Sequence, residues 1–206
     1  MPNWCNNFAV IRHEDPAKIS ALADAFDAGK FCDHVIPVPK DLTDTVAGSV
    51  GEDKRAEHEA QMKRNLELHG AKDWYDFCVS RWGTKWDVGG DGYTAERDDD
   101  NQITVSFDSA WSPPTGVYEE LVEQGFEVDA MYYESGMAYC GRFVNGDDNY
   151  TEIGDMSADQ VADQIDPDID ECFGISESIR EYEEENEEDL HRFVREGADK
   201  LGLIAK

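Results

Sequence analysis

Asp166, Asp168, Asp170 and Glu177 stand at positions one, three, five and twelve of a calcium-loop register, between two predicted helices. That spacing lets successive oxygens wrap a divalent cation. Against it, Glu171 takes the place where the sharp turn wants glycine, and Pro167 directly follows the first ligand. Asp166-Pro167 as a simple helix stop is the plainer reading. Cys5, Cys78 and Cys140 are candidate nucleophiles, and His13, His34, His58, His69 and His191 are the bases that would activate them. Sequence alone joins no thiol to an imidazole at hydrogen-bond reach. His58 and His69 lie eleven residues apart, three turns along an ideal helix, too far for one shared metal. Gly89-Gly90-Asp91-Gly92 is glycine-rich, but Asp91 and the lack of a following Lys-Ser/Thr argue against a phosphate cradle. No Walker or Rossmann fingerprint is present, and no cofactor is expected.

Charge offers a different chemistry. The 206 residues carry 47 acidic and 18 basic side chains, a formal net of −29. Residues 1–90 hold 15 acidic and 11 basic residues, whereas residues 91–206 hold 32 and 7. Such a surface repels a phosphate backbone, so direct nucleic-acid binding is disfavoured and a basic host protein is the expected partner. The densest acidic runs are Asp98, Asp99 and Asp100, and then Glu183, Glu184, Glu185, Glu187, Glu188 and Asp189. Repeated carboxylates of this kind can imitate the charge density of duplex DNA, which makes a DNA mimic in the groove of a host enzyme the alternative form of the same interaction. An uncharacterised enzyme is the third reading, and a merely solvated acidic surface the plainest.

The elements that would carry these groups follow from periodicity. Trp4–Ile11 reads as a strand. Asp15-Pro16 starts a helix with Ile19, Leu22, Ala23 and Phe26 on one face, and Gly29 ends it. Phe31–Val38 is a strand candidate closed by Pro37 and Pro39. A polar linker over 40–54 leads to a charged helix from about Asp53 to His69 and a shorter one capped by Asp73. Trp82-Gly83-Thr84-Lys85-Trp86-Asp87 then forms an aromatic patch with a glycine-rich, flexible exit. Tyr93–Arg97 and Gln102–Asp108 pair as a hairpin through the acidic turn. Pro113 and Pro114 open a helix that ends at Gly125, and Phe126–Tyr133 and Met137–Val144 form a second hairpin. A short strand over Tyr150–Ile153 follows. Two further acidic helices begin near Ser157 and Ser176, the second divided in two or partly mobile because its middle lacks apolar anchors.

This order predicts an α+β fold: a ferredoxin-like split βαβ sandwich with a helical insertion over 40–87 in a domain spanning 1–155, followed by an acidic helical extension over 156–206. One sheet face stays open, and Trp82, Trp86 and Trp111 are placed to cover it or to stack on a ligand. The five scattered cysteines form no CxxC pair and read as buried thiols. No apolar run suffices to span a bilayer and no signal segment opens the chain, so a cytosolic setting in the host cell is expected. Oligomeric state is not encoded legibly.

Four separated segments, MPNWCNN at the start, WGTKWD at 82–87, FDSAWSPP at 107–114 and YYESGMAYCG at 132–141, together resemble the Api92-like proteins of phages and plasmids, which carry a YubB-type ferredoxin-like domain. The resemblance covers roughly residues 1–155. It implies the fold named above in a protein of a mobile genetic element, and it brings no catalytic residues with it.

Overall fold

The computed structural model describes residues 3–200, with the side chains of Asp98 and of residues 190–200 excepted. It divides into two units, Met1–Glu152 and Ile153–Lys206.

The first unit is built on β1 (Trp4–Arg12), whose alternation sends Cys5, Asn7, Ala9 and Ile11 to one face. Helix α1 (Pro16–Asp27) follows, with the Asp15 carboxylate accepting the Ala17 N–H and Pro16 in its first turn. Then come α2 (Phe31–Val35), α3 (Lys40–Thr43), a 3₁₀ turn at Glu52–Lys54, α4 (Arg55–His69) and α5 (Trp74–Arg81). The chain returns to the sheet as β2 (Glu96–Asp99) and β3 (Gln102–Ala110), crosses over as α6 (Thr115–Glu123), and closes with β4 (Glu127–Glu134), β5 (Tyr139–Val144) and β6 (Asp147–Glu152).

The six strands lie in the order β2-β3-β1-β4-β5-β6, with every neighbouring pair antiparallel. β3 and β4 are thus parallel to each other with β1 between them, and α6 joins them. β1 and β2 are likewise parallel with β3 between them, and the helices α1 to α5 fill that connection. These are the two interlocked split βαβ units of the ferredoxin-like arrangement, extended at the β4 edge by the β5–β6 hairpin.

The second strand of this arrangement is not where the sequence suggests it. Phe31–Val35 is a short helix, and Glu96–Asp99 is the partner strand. The insertion therefore lies inside the first crossover. The reason is non-local: the Asp87 carboxylate accepts the backbone N–H groups of Cys32 (2.7 Å) and Asp33 (3.1 Å), satisfying donors that an α2 N-terminus would otherwise leave unpaired.

Ile19, Leu22, Ala23 and Phe26 of α1 and Val117, Tyr118 and Leu121 of α6 pack on the inner sheet residues Ala9, Ile11, Ile103, Val105, Phe107, Val128, Ala130 and Phe143. The short edge strand β2 is tied down by Arg97, whose guanidinium donates to Asp24 (2.8 Å) and Asp27 (3.1 Å) of α1. The glycine run at 89–92 is not a flexible exit. Gly89, Gly90, Asp91 and Gly92 all have positive φ, and the Gly90 N–H donates to the Phe26 carbonyl at 2.8 Å. A Cβ on Gly89 would stand 2.2 Å from that same oxygen.

The second unit contains α7 (Ala158–Gln164), α8 (Pro167–Phe173) and α9 (Ile175–Lys200). α9 is one continuous helix. Ser157 and Gln160 form a reciprocal capping box at the start of α7.

Two outcomes test this packing. Gly116, in the first turn of α6, has ordinary helical backbone, yet a Cβ there would meet the Arg81 carbonyl oxygen at 2.2 Å. Gly116→Ala gains about 1 kcal/mol of helix propensity and loses about 1–3 kcal/mol to overpacking. Urea unfolding is expected to show a net loss. Among the thiols, Cys5, Cys32, Cys78 and Cys140 are buried and Cys172 is exposed. Burial pushes the Cys5 and Cys78 thiols up to about 12 and Cys32 well above its ordinary value. Raised thiol pKa values mean little thiolate at pH 8. Alkylation of the native chain at that pH is expected to modify Cys172 alone, and of the unfolded chain all five; a second reactive native thiol would contradict the core.

Candidate functional site

The four motif segments meet at one end of the sheet, where β1 begins and β3 ends. Asn7 is 3% exposed, and its Nδ2 donates to the Cys5 carbonyl (2.8 Å) and to Ser109 Oγ (2.8 Å). Ser109 Oγ donates in turn to the Ser112 carbonyl (2.8 Å), which fixes the bend after β3. Thr84 Oγ1 donates to the Ala110 carbonyl (3.0 Å) and Ser112 Oγ to the Gly83 carbonyl, attaching the 82–87 loop to the same bend. Trp111 has φ +69, a conformation that bulky residues avoid. It is held by its N–H donating to the Asn3 carbonyl (2.9 Å) and its carbonyl accepting from Tyr139 Oη (2.7 Å). In the β4–β5 hairpin, Glu134 is 1% exposed and accepts the N–H groups of Gly136 and Met137.

This polar seam presents aromatic rings from four segments around one lysine. Lys85 Nζ lies 4.5 Å from the Trp86 ring centroid, 5.1 Å from Trp111 and 5.7 Å from Tyr75. Trp4 stands 6.0 Å from Trp86 and Tyr75 lies edge-on to Trp111 at 6.2 Å. The ammonium is drawn to the negative faces of the rings, and the exposed indoles (47% for Trp4, 39% for Trp86, 41% for Trp111) are an outward-facing aromatic surface. Beside it, Asp87 is largely withdrawn from water. Burial pushes its carboxyl up, opposed by the backbone N–H groups of Cys32, Asp33 and Val88.

The predicted aromatic patch therefore splits. Trp82 is a core residue on the helix side of the sheet, its Nε1 donating to the Ile36 carbonyl at 2.9 Å. Trp86 and Trp111 gather at the sheet end rather than spreading across the open face. Sequence reasoning passed over Trp4, Tyr75 and Lys85. Only Lys85, set between two tryptophans in WGTKWD, carried a local signal.

The calcium register does not wrap into a loop. Asp166 is the N-cap of α8, accepting the Asp168 N–H at 2.9 Å, and Pro167 sits in that helix's first turn. Asp170 instead accepts the Ser176 N–H (2.7 Å) and Oγ (2.6 Å) at the start of α9, and Glu177 lies in the first turn of α9. Among the described residues, no group of three or more His, Cys, Asp or Glu is placed to hold a metal ion.

The acidic candidates fall in both units. Asp99 ends β2 and Asp100 lies in the turn to β3, where Asp99 accepts the Asn101 N–H (2.7 Å); the Asp98 side chain lies outside the described residues. Asp99 lines a depression of about 530 Å³ together with the Arg12 guanidinium, so a cation interrupts the acidic surface there. On α9 the pattern is cleaner. Helical spacing puts Glu181, Glu184, Glu185 and Glu188 on one side, where they line a shallow depression of about 460 Å³ with Ser178 and Tyr182. Glu183 faces the other way and accepts the Ala158 N–H at 3.3 Å at the start of α7, and Arg180 pairs with Asp159 at 3.1 Å. Glu187, Glu188 and Asp189 are exposed.

The histidines sit apart from the thiols in their described contacts. His13 packs on Phe126 and Nδ1 accepts the Asp15 N–H; His58 lies against the Val46 carbonyl and His69 against Asp41. The side chain of His191 lies outside the described residues. Among the described residues, no helix is long and apolar enough to cross a membrane.

A family model described as the ferredoxin-like domain in Api92-like protein matches residues 90–193. That match runs beyond residue 155, taking in α7, α8 and most of α9, whereas the opening motif and WGTKWD lie before it. Among solved structures, the chain is similar to the crystal structure of a protein api92 from Yersinia pseudotuberculosis, at 14% identity over 75% of this chain and 99% of that chain, with a TM-score of 0.39. No curated protein matches. With half of its length matched by the family model, and with two interlocked split βαβ units observed directly, the chain belongs to the Api92-like family and carries that family's ferredoxin-like domain.

Proposed function

We propose that this protein is a non-catalytic binding or accessory protein that engages a basic protein partner, with α9 as the contacting element. One observation carries the reading: the exposed carboxylate stripe of Glu181, Glu184, Glu185 and Glu188 along α9. The second unit holds 17 acidic and 5 basic residues in its 54 positions, a higher acidic density than the first unit's 30 and 13 in 152. Like charges three and four residues apart on a helix repel by a few tenths of a kcal/mol per pair. Cations from a partner would relieve that repulsion, so the stripe is tuned for occupation rather than for the stability of the isolated chain.

A specific observation also favours the DNA-mimic form of this reading. Residues 181–189 contain seven carboxylates. At about 1.5 Å of rise per residue, they fall about every 2 Å of helix axis, close to the roughly 1.7 Å per charge of duplex DNA. The Asp98–Asp100 turn adds less, because the Arg12 guanidinium stands beside it. The resemblance of the opening and central motifs to YubB-type proteins of phages and plasmids supports a target inside a bacterial host, where a cytosolic DNA-binding enzyme would be the natural partner.

The test uses the intact chain, immobilised and challenged with the duplex-DNA-retained protein fraction of a bacterial extract. Specific proteins are expected to be held at low salt, released by duplex DNA, and lost as salt rises. Substituting Glu181, Glu184, Glu185 and Glu188 by Gln is expected to weaken retention by about tenfold or more. Retention that ignores both the substitutions and salt would overturn the reading; retention that ignores only duplex DNA would overturn groove mimicry alone.

A further inference from the structure

A second recess lies in the first unit, beside the Lys85 cluster. It encloses about 220 Å³ and is lined by Trp4, Trp86, Asp87, Tyr93, Asp91 and Asp108, with the 88–89 and 109–110 segments completing it. Its size is below that of drug-sized ligand pockets, which run from about 300 Å³ upward, and suits a single side chain. Its walls are two indoles 6.0 Å apart and inclined at 41°. Its lining holds three carboxylates and no basic residue.

The carboxylates are not equivalent. Asp87 is committed to the N–H groups of Cys32, Asp33 and Val88. Asp108 is set in position on the outer face of β3 by two donors, Asn6 Nδ2 to Oδ1 (2.6 Å) and Tyr93 Oη to Oδ2 (2.7 Å). Each of its oxygens has a further lone pair to offer. Asp91 stands exposed on the glycine run, which is pinned to α1 through Gly90. Trp86 also lines the neighbouring depression that holds Lys85, so the same indole already accepts one intramolecular cation.

We propose that this recess is a receptor for one arginine side chain of a basic polypeptide partner, with the guanidinium stacked on Trp86 and Trp4 and forked onto Asp108. Aromatic faces with adjacent carboxylates select an organic cation. A planar guanidinium matches both the stacking surface and the two-oxygen acceptor, where a lysine ammonium offers only a point charge. The proposal deepens the proposed function, because it rests on a basic partner, but it assigns recognition to the first unit and to residues outside α9.

The test follows the indole Nε1–H resonances of the intact ¹⁵N-labelled chain during titration with acetyl-Gly-Arg-Gly-amide, and with the isosteric citrulline peptide, which lacks the charge. The arginine peptide is expected to shift the Trp4 and Trp86 signals saturably and leave buried Trp82 in place. The citrulline peptide is expected to bind about tenfold or more weakly, as is the arginine peptide to Asp108→Asn, which keeps the side-chain size. The chain with Glu181, Glu184, Glu185 and Glu188 changed to Gln is expected to show the same Trp4 and Trp86 shifts as the parent, so failure of the α9 reading leaves this result standing. Equal shifts from arginine and citrulline peptides, shifts unaltered in Asp108→Asn, or Trp4 and Trp86 signals that do not move with the arginine peptide would each overturn the arginine receptor.

Discussion

Asn7 is a polar residue on the inner face of a central strand, where an unpaired amide would cost about 1–3 kcal/mol. Its Nδ2 is satisfied by the Cys5 carbonyl and Ser109 Oγ, while its Oδ1 is buried with no hydrogen-bond partner among the described residues. Ser109 passes the constraint to Ser112, and the bend this creates places Trp111 at positive φ. That one chain of hydrogen bonds joins the beginning of β1 to the end of β3, and the 82–87 loop and Tyr139 attach to the same bend. Apolar packing of α1 and α6 holds the sheet together, but it is non-directional. The directional bonds at the sheet end decide which way the tryptophans face.

The two acidic features then differ in kind. In the function proposed above, the carboxylates repeated along one side of α9 act through summed charge, a field that reaches over a Debye length of about 8–10 Å and discriminates little between cations. At the sheet end, individual carboxylates are oriented by named donors beside fixed rings. Long-range attraction from one and short-range selection by the other are complementary properties.

Much of the fold was legible because its signals are local. The Asp15-Pro16 helix start, the alternation of β1 and β3, and the Pro-Pro opening of α6 each depend on neighbouring residues. The two split βαβ units follow from that order once strands and helices are named. The second strand and the aromatic site depended on distant partners. Phe31–Val35 has an apolar pattern compatible with strand or helix, and the Asp87 carboxylate that settles it lies 54 and 55 residues away from its two bond partners. The calcium register had the right spacing, but Pro167 favours the first turn of a helix, and Asp166 caps it. The aromatic cluster was only partly visible, since Trp4, Tyr75, Lys85 and Trp111 come from separate segments and no periodicity links them. Trp82 and Trp86, four residues apart and identical in type, take opposite roles because one enters the core and the other stays at its margin.

The central claim is that the Asn7–Ser109 seam sets the aromatic site around Lys85, and proton NMR of the Lys85 methylenes tests it most directly. Three rings within about 4.5–5.7 Å of the ammonium should displace those resonances upfield of ordinary exposed lysines. In Asn7→Ala the displacement should shrink while the methyl signals of the core residues Leu22 and Val117 stay in place. Lys85 signals at ordinary exposed-lysine positions in the parent chain, or a displacement unchanged by Asn7→Ala, would contradict the account.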